Sequence, residues 1–246
     1  MKKNLRIYID QKLQKGFFTL DKKKSHYLKN VMRMNIGDYI NIFNENDGEW
    51  IAKIDSFKKN QSIVSVEEFY RSSSNFYDIC LLFAPIKQAR LDYMAQKTCE
   101  MGVKTLLPIF TDYTQSKKIN SDRFRSNLIE AAEQCDFNCI PELMEPENFD
   151  NILINWDSFF KDRNVIFCDE NSTSNAFGLL KNYNNKEKKW SIIIGPEGGF
   201  SEKERNLINQ KDNSFNLSLG PRILRSDTAA IAVLSIFQML IGDWNN

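Results

Sequence analysis

Two short glycine-containing loops near the C-terminus carry the residue types most suited to chemistry. The first is Gly195-Pro196-Glu197-Gly198-Gly199, and the second runs from Leu219 to Arg225 and begins Leu219-Gly220-Pro221-Arg222. Each loop follows an apolar run and precedes a helical pattern, which is how an open α/β sheet builds a ligand site. Because glycine leaves backbone amides unshielded, this pattern favours recognition of a nucleoside or nucleotide.

Several common chemistries are disfavoured by what the sequence lacks. The chain has neither a G-x-x-x-x-G-K-[ST] nor a G-x-G-x-x-G pattern, so kinase-type and dinucleotide-type sites lose support. The only histidine, His26, lies far from both loops, which disfavours a Ser-His-Asp hydrolase. Cys135 and Cys139 have helical spacing but no second cysteine pair, so we expect no metal site.

Three charged residues in or beside the loops are candidates for catalysis. Arg225 precedes the final helical pattern, where a cation opposes the positive end of the helix dipole, so we expect it to face an anion or a developing oxyanion. Ser226 or Asp227 is expected to cap that helix. Glu197 is either an ordinary exposed carboxylate or, given its glycine neighbours, part of the site.

Composition sets broad limits on the protein. The chain has 246 residues, 42% apolar content and a net charge of +1, which predict a folded protein without a global attraction to nucleic acid. Five cysteines are an odd number, so we expect reduced thiols. No apolar run approaches the roughly 20 residues of a membrane span, and the first residues lack the apolar stretch of a signal peptide. We therefore expect a cytoplasmic protein.

Residues 1–71 are predicted to form a small β-rich domain. Period-two alternation predicts strands at Leu5–Ile9, Trp50–Ile54 and Ile63–Val66, and Asn46-Asp47-Gly48 indicates a hairpin. Helical spacing of Tyr27, Val31 and Met34 predicts one helix that Gly37 ends. The result is a small barrel with one helix. Its basic residues, either a solvated surface or an RNA-binding face, include Lys22, Lys23, Lys24, Lys29 and Arg33.

A second domain over residues 76–246 is predicted to be α/β. Ser72-Ser73-Ser74-Asn75 is a short polar linker, and beyond it strands and helices alternate, which is typical of a parallel sheet covered by helices. The predicted strands are 77–84, 103–110, 165–168, 191–194 and 215–219. The predicted helices are 87–101, 121–135, 151–160, 176–183, one that begins with a capping box at Ser201 and Glu204, and 229–241.

Five segments together resemble one known family. They are residues 26–33 with Gly37-Asp38, residues 96–103, residues 130–135, residues 194–200 and residues 219–230. The chain resembles the ribosomal RNA small-subunit methyltransferase E family, which methylates N3 of a uridine in 16S ribosomal RNA and belongs to the SPOUT class of S-adenosylmethionine enzymes. The resemblance implies a PUA-like β-barrel for RNA, a SPOUT-type α/β domain with a parallel sheet and a C-terminal trefoil knot, and a homodimer.

The resemblance also implies site residues, by position. The cofactor contacts would be Gly195, Glu197, Gly198, Gly199, Leu219, Gly220, Ile223, Leu224, Thr228 and Ala229. Apart from the resemblance, the charge pattern makes Lys22, Lys23, Lys24, Lys29 and Arg33 candidates for RNA contacts, and Arg222 of the second loop is a further candidate. The chain departs from the family where Phe137 and Gln115 replace common arginines, and Asp227-Thr228 replaces the common Glu-Thr.

The chemistry of this reaction leads to hypotheses about the roles of three residues. Methyl transfer to N3 of uridine needs an aligned approach and loss of the N3 proton. We expect Arg225 to stabilise the uracil oxygen that gains charge, and either Glu197 or Asp227 to accept the proton. The alternatives are a non-catalytic RNA-binding protein, a Rossmann-type enzyme, and a SPOUT methyltransferase that acts on another RNA position.

Overall fold

The computed structural model describes residues 4–73, 77–173, 178 and 189–245. The chain divides into two compact units. The first unit is Met1–Asn75 together with Ala132–Ile140, and the second is Phe76–Ala131 together with Pro141–Asn246. The segment 132–140 therefore folds with the N-terminal unit, which no sequence pattern indicated.

A five-stranded sheet forms the first unit. Its strands are β1 (Leu5–Tyr8), β2 (Gly16–Leu20), β3 (Tyr39–Asn44), β4 (Gly48–Phe57) and β5 (Ser62–Arg71), in the order β1-β3-β4-β5-β2. β1 and β3 pair in parallel, and the other pairs are antiparallel. The predicted strands and the β3–β4 hairpin are confirmed. β2 has no predicted counterpart, because most of its side chains are exposed and its sequence does not alternate.

The helix of the first unit is shorter than predicted. α1 (Lys22–His26) is capped by Asp21, whose side chain accepts from the backbone N–H of Lys24 at 2.8 Å. A π-helical turn follows over Tyr27–Val31. Because such a turn adds one residue to the helical repeat, Leu28 faces the core, while Val31 is 56% exposed. The α-helix predicted from the spacing of Tyr27, Val31 and Met34 therefore ends before Val31, which lies in the π-helical turn.

A largely parallel sheet forms the second unit, as predicted. Its main strands follow the order β12-β10-β11-β6-β7-β8, and all of these pairs are parallel. The strands are β6 (Ile79–Phe83), β7 (Thr105–Phe110), β8 (Glu142–Leu143), β9 (Glu147–Asn148), β10 (Arg163–Cys168), β11 (Lys189–Ile194) and β12 (Ser214–Leu217). β9 pairs with the end of β7. The central strands β6 and β11 are almost entirely buried.

Six described helices of four residues or more accompany this sheet. They are α2 (Gln88–Glu100), α3 (Ser121–Cys135), α4 (Phe149–Ile154), α5 (Trp156–Phe160), α6 (Glu202–Asn209) and α7 (Ser226–Leu240). The helix predicted at 151–160 is divided in two at Asn155. Asn120 caps α3, because its side-chain oxygen accepts from the backbone N–H of Arg123 at 3.0 Å.

The predicted helix at 176–183 lies outside the described residues, apart from Gly178, as do linker residues Ser74 and Asn75. α7 packs against α2, and Gln238 Nε2 donates to the carbonyl oxygen of Met101 at 2.7 Å. None of the helices in the described ranges is long and apolar enough to cross a membrane.

Candidate active site

A cavity of about 440 Å³ lies at the carboxyl ends of three neighbouring strands. β10, β11 and β12 run parallel, so the segments that follow them meet at one edge of the sheet. The walls come from residues 168–173 after β10, residues 194–200 after β11 and residues 217–229 after β12. Both glycine loops singled out in the sequence therefore open into one cavity, whose volume suits a small organic ligand.

The first loop depends on glycine for two different reasons. Gly199 has φ +69°, and a Cβ there would lie 2.8 Å from Glu170 Oε1. Gly195 has ordinary backbone angles, but a Cβ there would lie 2.7 Å from the ring of Phe200. At Gly199 the positive φ is the main constraint, because the carboxylate of Glu170 ends a flexible side chain that can move, whereas a Cβ at Gly195 would displace the buried ring of Phe200.

The second loop exposes apolar surface beside the cavity. Gly220 has φ +102° and nothing within 4 Å of where a Cβ would be, so its backbone conformation alone requires glycine. Ile223 lines the cavity and is 81% exposed, which is unusual for a large aliphatic side chain. Together with Leu219 and Leu224, it offers an uncovered apolar surface to a ligand.

Ser226 joins the two loops instead of capping the final helix. Its hydroxyl donates to the carbonyl oxygen of Gly195 at 2.8 Å, across 31 residues of sequence. The N-cap of α7 is Arg225, and it makes no side-chain capping bond. The prediction that Ser226 or Asp227 caps α7 was therefore wrong, since both lie within the first turn of the helix.

The structure brings most of the predicted cofactor contacts together. The cavity is lined by Gly195, Gly199, Leu219, Gly220, Ile223, Leu224 and Ala229. Glu197, Gly198 and Thr228 are exposed and are not part of its wall. Of the loop at 195–199, Gly195, Pro196 and Gly199 therefore line the cavity, whereas Glu197 and Gly198 do not.

The three predicted catalytic residues are close in sequence to residues that line the cavity, but they do not line it themselves. Arg225 is exposed at the start of α7. Glu197 is 3.8 Å from Arg90, between Oε1 and Nη1. Asp227 is half-buried, and its Oδ1 is buried without a hydrogen-bond partner among the described residues. Their catalytic roles stay predictions.

One wall of the cavity was not predicted from the sequence. It consists of Cys168, Asp169, Glu170, Ser172 and Thr173, which follow β10. Asp169 is nearly buried, and its Oδ1 accepts from Arg205 Nε at 3.0 Å, which links this wall to α6. The signal was the polar run that directly follows the predicted strand 165–168. Burial raises the pKa of the Cys168 thiol to about 12, so it is protonated at neutral pH and is a poor nucleophile.

The residues predicted to contact RNA lie in both units. Lys22, Lys23, Lys29 and Arg33 are exposed in the first unit, whereas Lys24 is partly engaged by Asp21, 2.8 Å away. Arg222 belongs to the second unit and lines the cavity. Phe137, which replaces a common arginine, is buried in the first unit, and Gln115 is exposed. The described residues contain no group of three histidine, cysteine or acidic side chains that could hold a metal ion.

Two family models match the chain in agreement with this geometry. An RNA methyltransferase domain matches residues 72–238, and an RNA methyltransferase PUA domain matches residues 20–67. The relative named ribosomal RNA small subunit methyltransferase E from Buchnera aphidicola (subspecies Acyrthosiphon pisum) is 32% identical over 99% of this chain and 96% of its own. This chain belongs to the ribosomal RNA small subunit methyltransferase E family.

Other members and solved structures agree with this assignment. The small subunit methyltransferase E of Rickettsia conorii is 29% identical over 96% of this chain and 95% of its own. A Legionella pneumophila structure described as a methyltransferase with bound S-adenosylmethionine is 30% identical, with TM-score 0.86, and the match covers 98% of this chain and 99% of that one. A family member from Neisseria gonorrhoeae shares the fold, with TM-score 0.87 at 22% identity over 98% and 99% of the two chains.

Proposed function

We propose that this protein transfers the methyl group of S-adenosylmethionine to N3 of a uridine in 16S ribosomal RNA of the small ribosomal subunit. The observation that carries the proposal is the single cavity that both glycine loops form at the ends of β10, β11 and β12. Membership of the methyltransferase E family supplies the class of substrate, and the Legionella pneumophila neighbour, named with its bound cofactor, supplies the class of ligand.

The cavity residues fit S-adenosylmethionine in size and chemistry. The volume of about 440 Å³ lies within the range of small-ligand sites. The exposed Ile223 with Leu219 and Leu224 would cover apolar parts of the cofactor, and Ser172 and Thr173 add hydroxyl groups to the wall. When bound, the cofactor supplies an electrophilic methyl group. The chain's own contribution is to hold it by backbone groups of the two loops and to exclude water from one side.

Three residues in or beside the loops are proposed to accept the N3 proton and to stabilise the charge that develops on the uracil ring. Arg225 is exposed and carries a positive charge that could stabilise the oxygen next to N3 as it gains negative charge. Asp227 is the better candidate for accepting the N3 proton, because its buried Oδ1 has no hydrogen-bond partner among the described residues. Glu197 is the second candidate, and its Oε1 lies 3.8 Å from Arg90 Nη1, so it also has a structural partner.

Further parts of the proposal rest mainly on the resemblance. They are the trefoil knot, the division into domains at residues 1–71 and 76–246, the cytoplasmic location and the homodimer. Met239 and Trp244, which are 58% and 56% exposed near the C-terminus, support the homodimer because they leave large apolar groups for a second copy to cover. Light scattering of the purified protein would give a monomer mass if this part is wrong.

The test of the main proposal is a methyl-transfer assay. The protein is incubated with labelled S-adenosylmethionine and either small ribosomal subunits or naked 16S RNA, and the RNA is digested to nucleosides. We expect the label in 3-methyluridine, at one position when the RNA is mapped by fragment mass. No label in any uridine would refute the proposal, and an absence of cofactor binding in a titration calorimeter would favour the non-catalytic RNA-binding alternative.

A further inference from the structure

Two carboxylates line the cavity, and the reaction proposed above uses neither of them. Asp169 and Glu170 follow β10, and among the described residues that line the cavity only Arg222 is also charged. The residues assigned to the uracil ring follow β11 and β12 instead. The wall after β10 is therefore available to recognise a part of the cofactor that does not react.

Asp169 has a structural role in this wall. Its side chain is 9% exposed, and its Oδ1 accepts from Arg205 Nε at 3.0 Å and from the backbone N–H of Asn171 at 3.2 Å. Hydrogen bonds between charged groups are the stronger kind, so this contact holds the segment after β10 against α6. Asp169 therefore anchors the wall and leaves little of its own surface for a ligand.

Glu170, the next residue, reaches the first glycine loop. A Cβ at Gly199 would lie 2.8 Å from Glu170 Oε1, so the carboxylate lies beside the backbone of that loop. Arg205 Nη2 is 3.7 Å from the same oxygen, which is an ion-pair distance but too long for a hydrogen bond. The side chain is 39% exposed, and it makes no hydrogen bond with another described residue. Both of its carboxylate oxygens can therefore accept from a ligand in the cavity.

The position and charge of Glu170 suit the ribose of a nucleoside. In dinucleotide-binding sheets, a carboxylate beside the glycine-rich loop accepts from a ribose hydroxyl. Glu170 has the same relation in space to the loop at 195–199, although the order along the chain is reversed. A carboxylate accepts at two oxygens, so it can take both neighbouring hydroxyls of a ribose. Because Arg205 offsets part of its charge, Glu170 suits neutral hydroxyl donors better than a cationic ammonium group.

The wall after β12 fits the remainder of such a nucleoside. β10 and β12 pair in parallel, so the segments that follow them are neighbours at the sheet edge. Ile223, 81% exposed, and Leu224 line the cavity from the β12 side, where they offer an apolar surface to a base. A base on this surface and a ribose at Glu170 therefore require only adjacent parts of one cavity.

We propose that Glu170 accepts hydrogen bonds from the 2′- and 3′-hydroxyl groups of the cofactor ribose and so makes the cavity specific for a ribonucleoside cofactor. This role rests on the proposed function, which supplies S-adenosylmethionine as the ligand. Glu170 is a specificity-determining residue, while Asp169 and Arg205 position the segment that carries it. The ribose takes no part in methyl transfer, so Glu170 acts on cofactor binding and leaves the chemical step to the other two segments.

The test measures the affinities of two ligands by calorimetry, S-adenosylhomocysteine and its 2′,3′-dideoxy analogue. We expect the wild-type protein to bind S-adenosylhomocysteine about ten- to a hundredfold more tightly than the analogue, as is usual for hydrogen bonds to a charged group. Glu170→Ala should reduce this ratio to within about threefold, and Glu170→Gln, which keeps one neutral acceptor, should give an intermediate ratio. Glu202→Ala, at an exposed position of α6 that does not line the cavity, is the control and should keep the wild-type ratio.

Two features of this design separate a ribose contact from a general effect on the cavity. A partly unfolded variant would bind both ligands less well, but the ratio of the two affinities does not depend on the folded fraction. In the methyl-transfer assay, Glu170→Ala should raise KM for S-adenosylmethionine by about the factor lost in affinity and keep kcat within about threefold, because the lost contact is the same in the ground state and the transition state.

Three outcomes would overturn the role of Glu170. They are a wild-type protein that binds both ligands equally well, a Glu170→Ala variant that weakens both by the same factor, and a protein that binds neither ligand. A wild-type protein that distinguishes the two ligands but methylates no uridine would refute the proposed reaction alone. In that case the comparison of affinities still decides whether Glu170 contacts the ribose.

Discussion

Arg6 Nε lies 3.1 Å from Glu49 Oε1, and the two side chains are 2% and 1% exposed. The same guanidinium donates to the carbonyl oxygens of Ala132 and Phe137, at 2.5 and 3.1 Å, and to the side-chain oxygen of Asn138. This buried ion pair therefore holds the segment 132–140 within the N-terminal unit. Because nearly all its polar atoms are satisfied, removal of one partner is costly.

The acid sensitivity of folding is expected to depend on Glu49. Burial by itself raises the pKa of this carboxyl, but the hydrogen bond from Asn41, the charge of Arg6 and the hydrogen bonds from Arg71 and Arg6 outweigh it and hold the pKa below its ordinary value. A lowered pKa in the folded state gives stability that is fully present above the unfolded-state pKa and is lost as the pH falls through the folded-state value. We therefore expect the unfolding free energy to decrease as the pH is lowered below about 5.

Glu49→Gln tests this assignment in urea titrations. At pH 7 it should lower the unfolding free energy by about 3–5 kcal/mol, because Arg6 stays buried and keeps only the partly exposed Asp136, whose Oδ1 is 3.4 Å from its Nε, as a counter-charge. Between pH 5 and pH 3 its loss of stability should be shallower than that of wild type. Glu67→Gln, at an exposed position of β5, is the control and should change stability by less than about 0.5 kcal/mol. Parallel pH curves for Glu49→Gln and wild type would contradict the prediction.

Arg6 also shows why some of the fold could not be predicted. In the sequence it is one of the polar residues that alternate with Leu5 and Ile7, which indicates a solvent-facing position. The strand was predicted correctly, since alternation is a local property. The burial of Arg6 depends on residues 132–140, which are more than a hundred positions away, and no pattern near Arg6 records that contact.

Helix starts and cavity walls were likewise predictable only where the residues that form them are close in sequence. The capping box of Ser201 and Glu204 was predicted correctly because both partners lie three residues apart. Ser226 was expected to cap α7, but its actual partner, the Gly195 carbonyl, is distant in sequence. The glycine loops were recognisable from their own residues. The wall at 168–173 was not, because its place in the site depends on β10 lying between β11 and β12.

Substitution of Arg225 is expected to change kcat more than cofactor affinity. Arg225→Ala removes a positive charge that we place beside the uracil oxygen, and loss of such a stabilising group lowers kcat by about a hundredfold. Because Arg225 does not line the cavity, cofactor affinity in calorimetry should stay within about twofold. Arg222→Ala, which alters a cavity wall, is the comparison and should weaken cofactor binding instead. Near-wild-type methylation by Arg225→Ala would exclude the proposed role.

The exposed lysines of α1 are expected to contribute to RNA affinity through phosphate contacts. Each such contact to single-stranded RNA adds about 0.7 to the slope of log affinity against log salt concentration, so the double variant Lys22→Ala, Lys23→Ala should reduce this slope by about 1.4. Lys24 is left in place, because it pairs with Asp21 at the start of α1. Lys161→Ala, at an exposed site of the second unit, serves as the control. An unchanged slope in fluorescence anisotropy would show that α1 does not meet phosphates.

Ser226 is expected to support both the fold and the cofactor site, because its hydroxyl links the two loops. Ser226→Ala leaves the carbonyl oxygen of Gly195 without its partner, which should lower the unfolding free energy by about 1–3 kcal/mol. Cofactor affinity in calorimetry should fall several-fold, since both loops line the cavity. Ser235→Ala is the matched control, because this hydroxyl donates to the carbonyl oxygen of Ile231 within α7, also at 2.8 Å. Its loss should change the unfolding free energy by less than about 0.5 kcal/mol. Equal effects of the two substitutions on cofactor affinity would mean that the link between the loops does not shape the site.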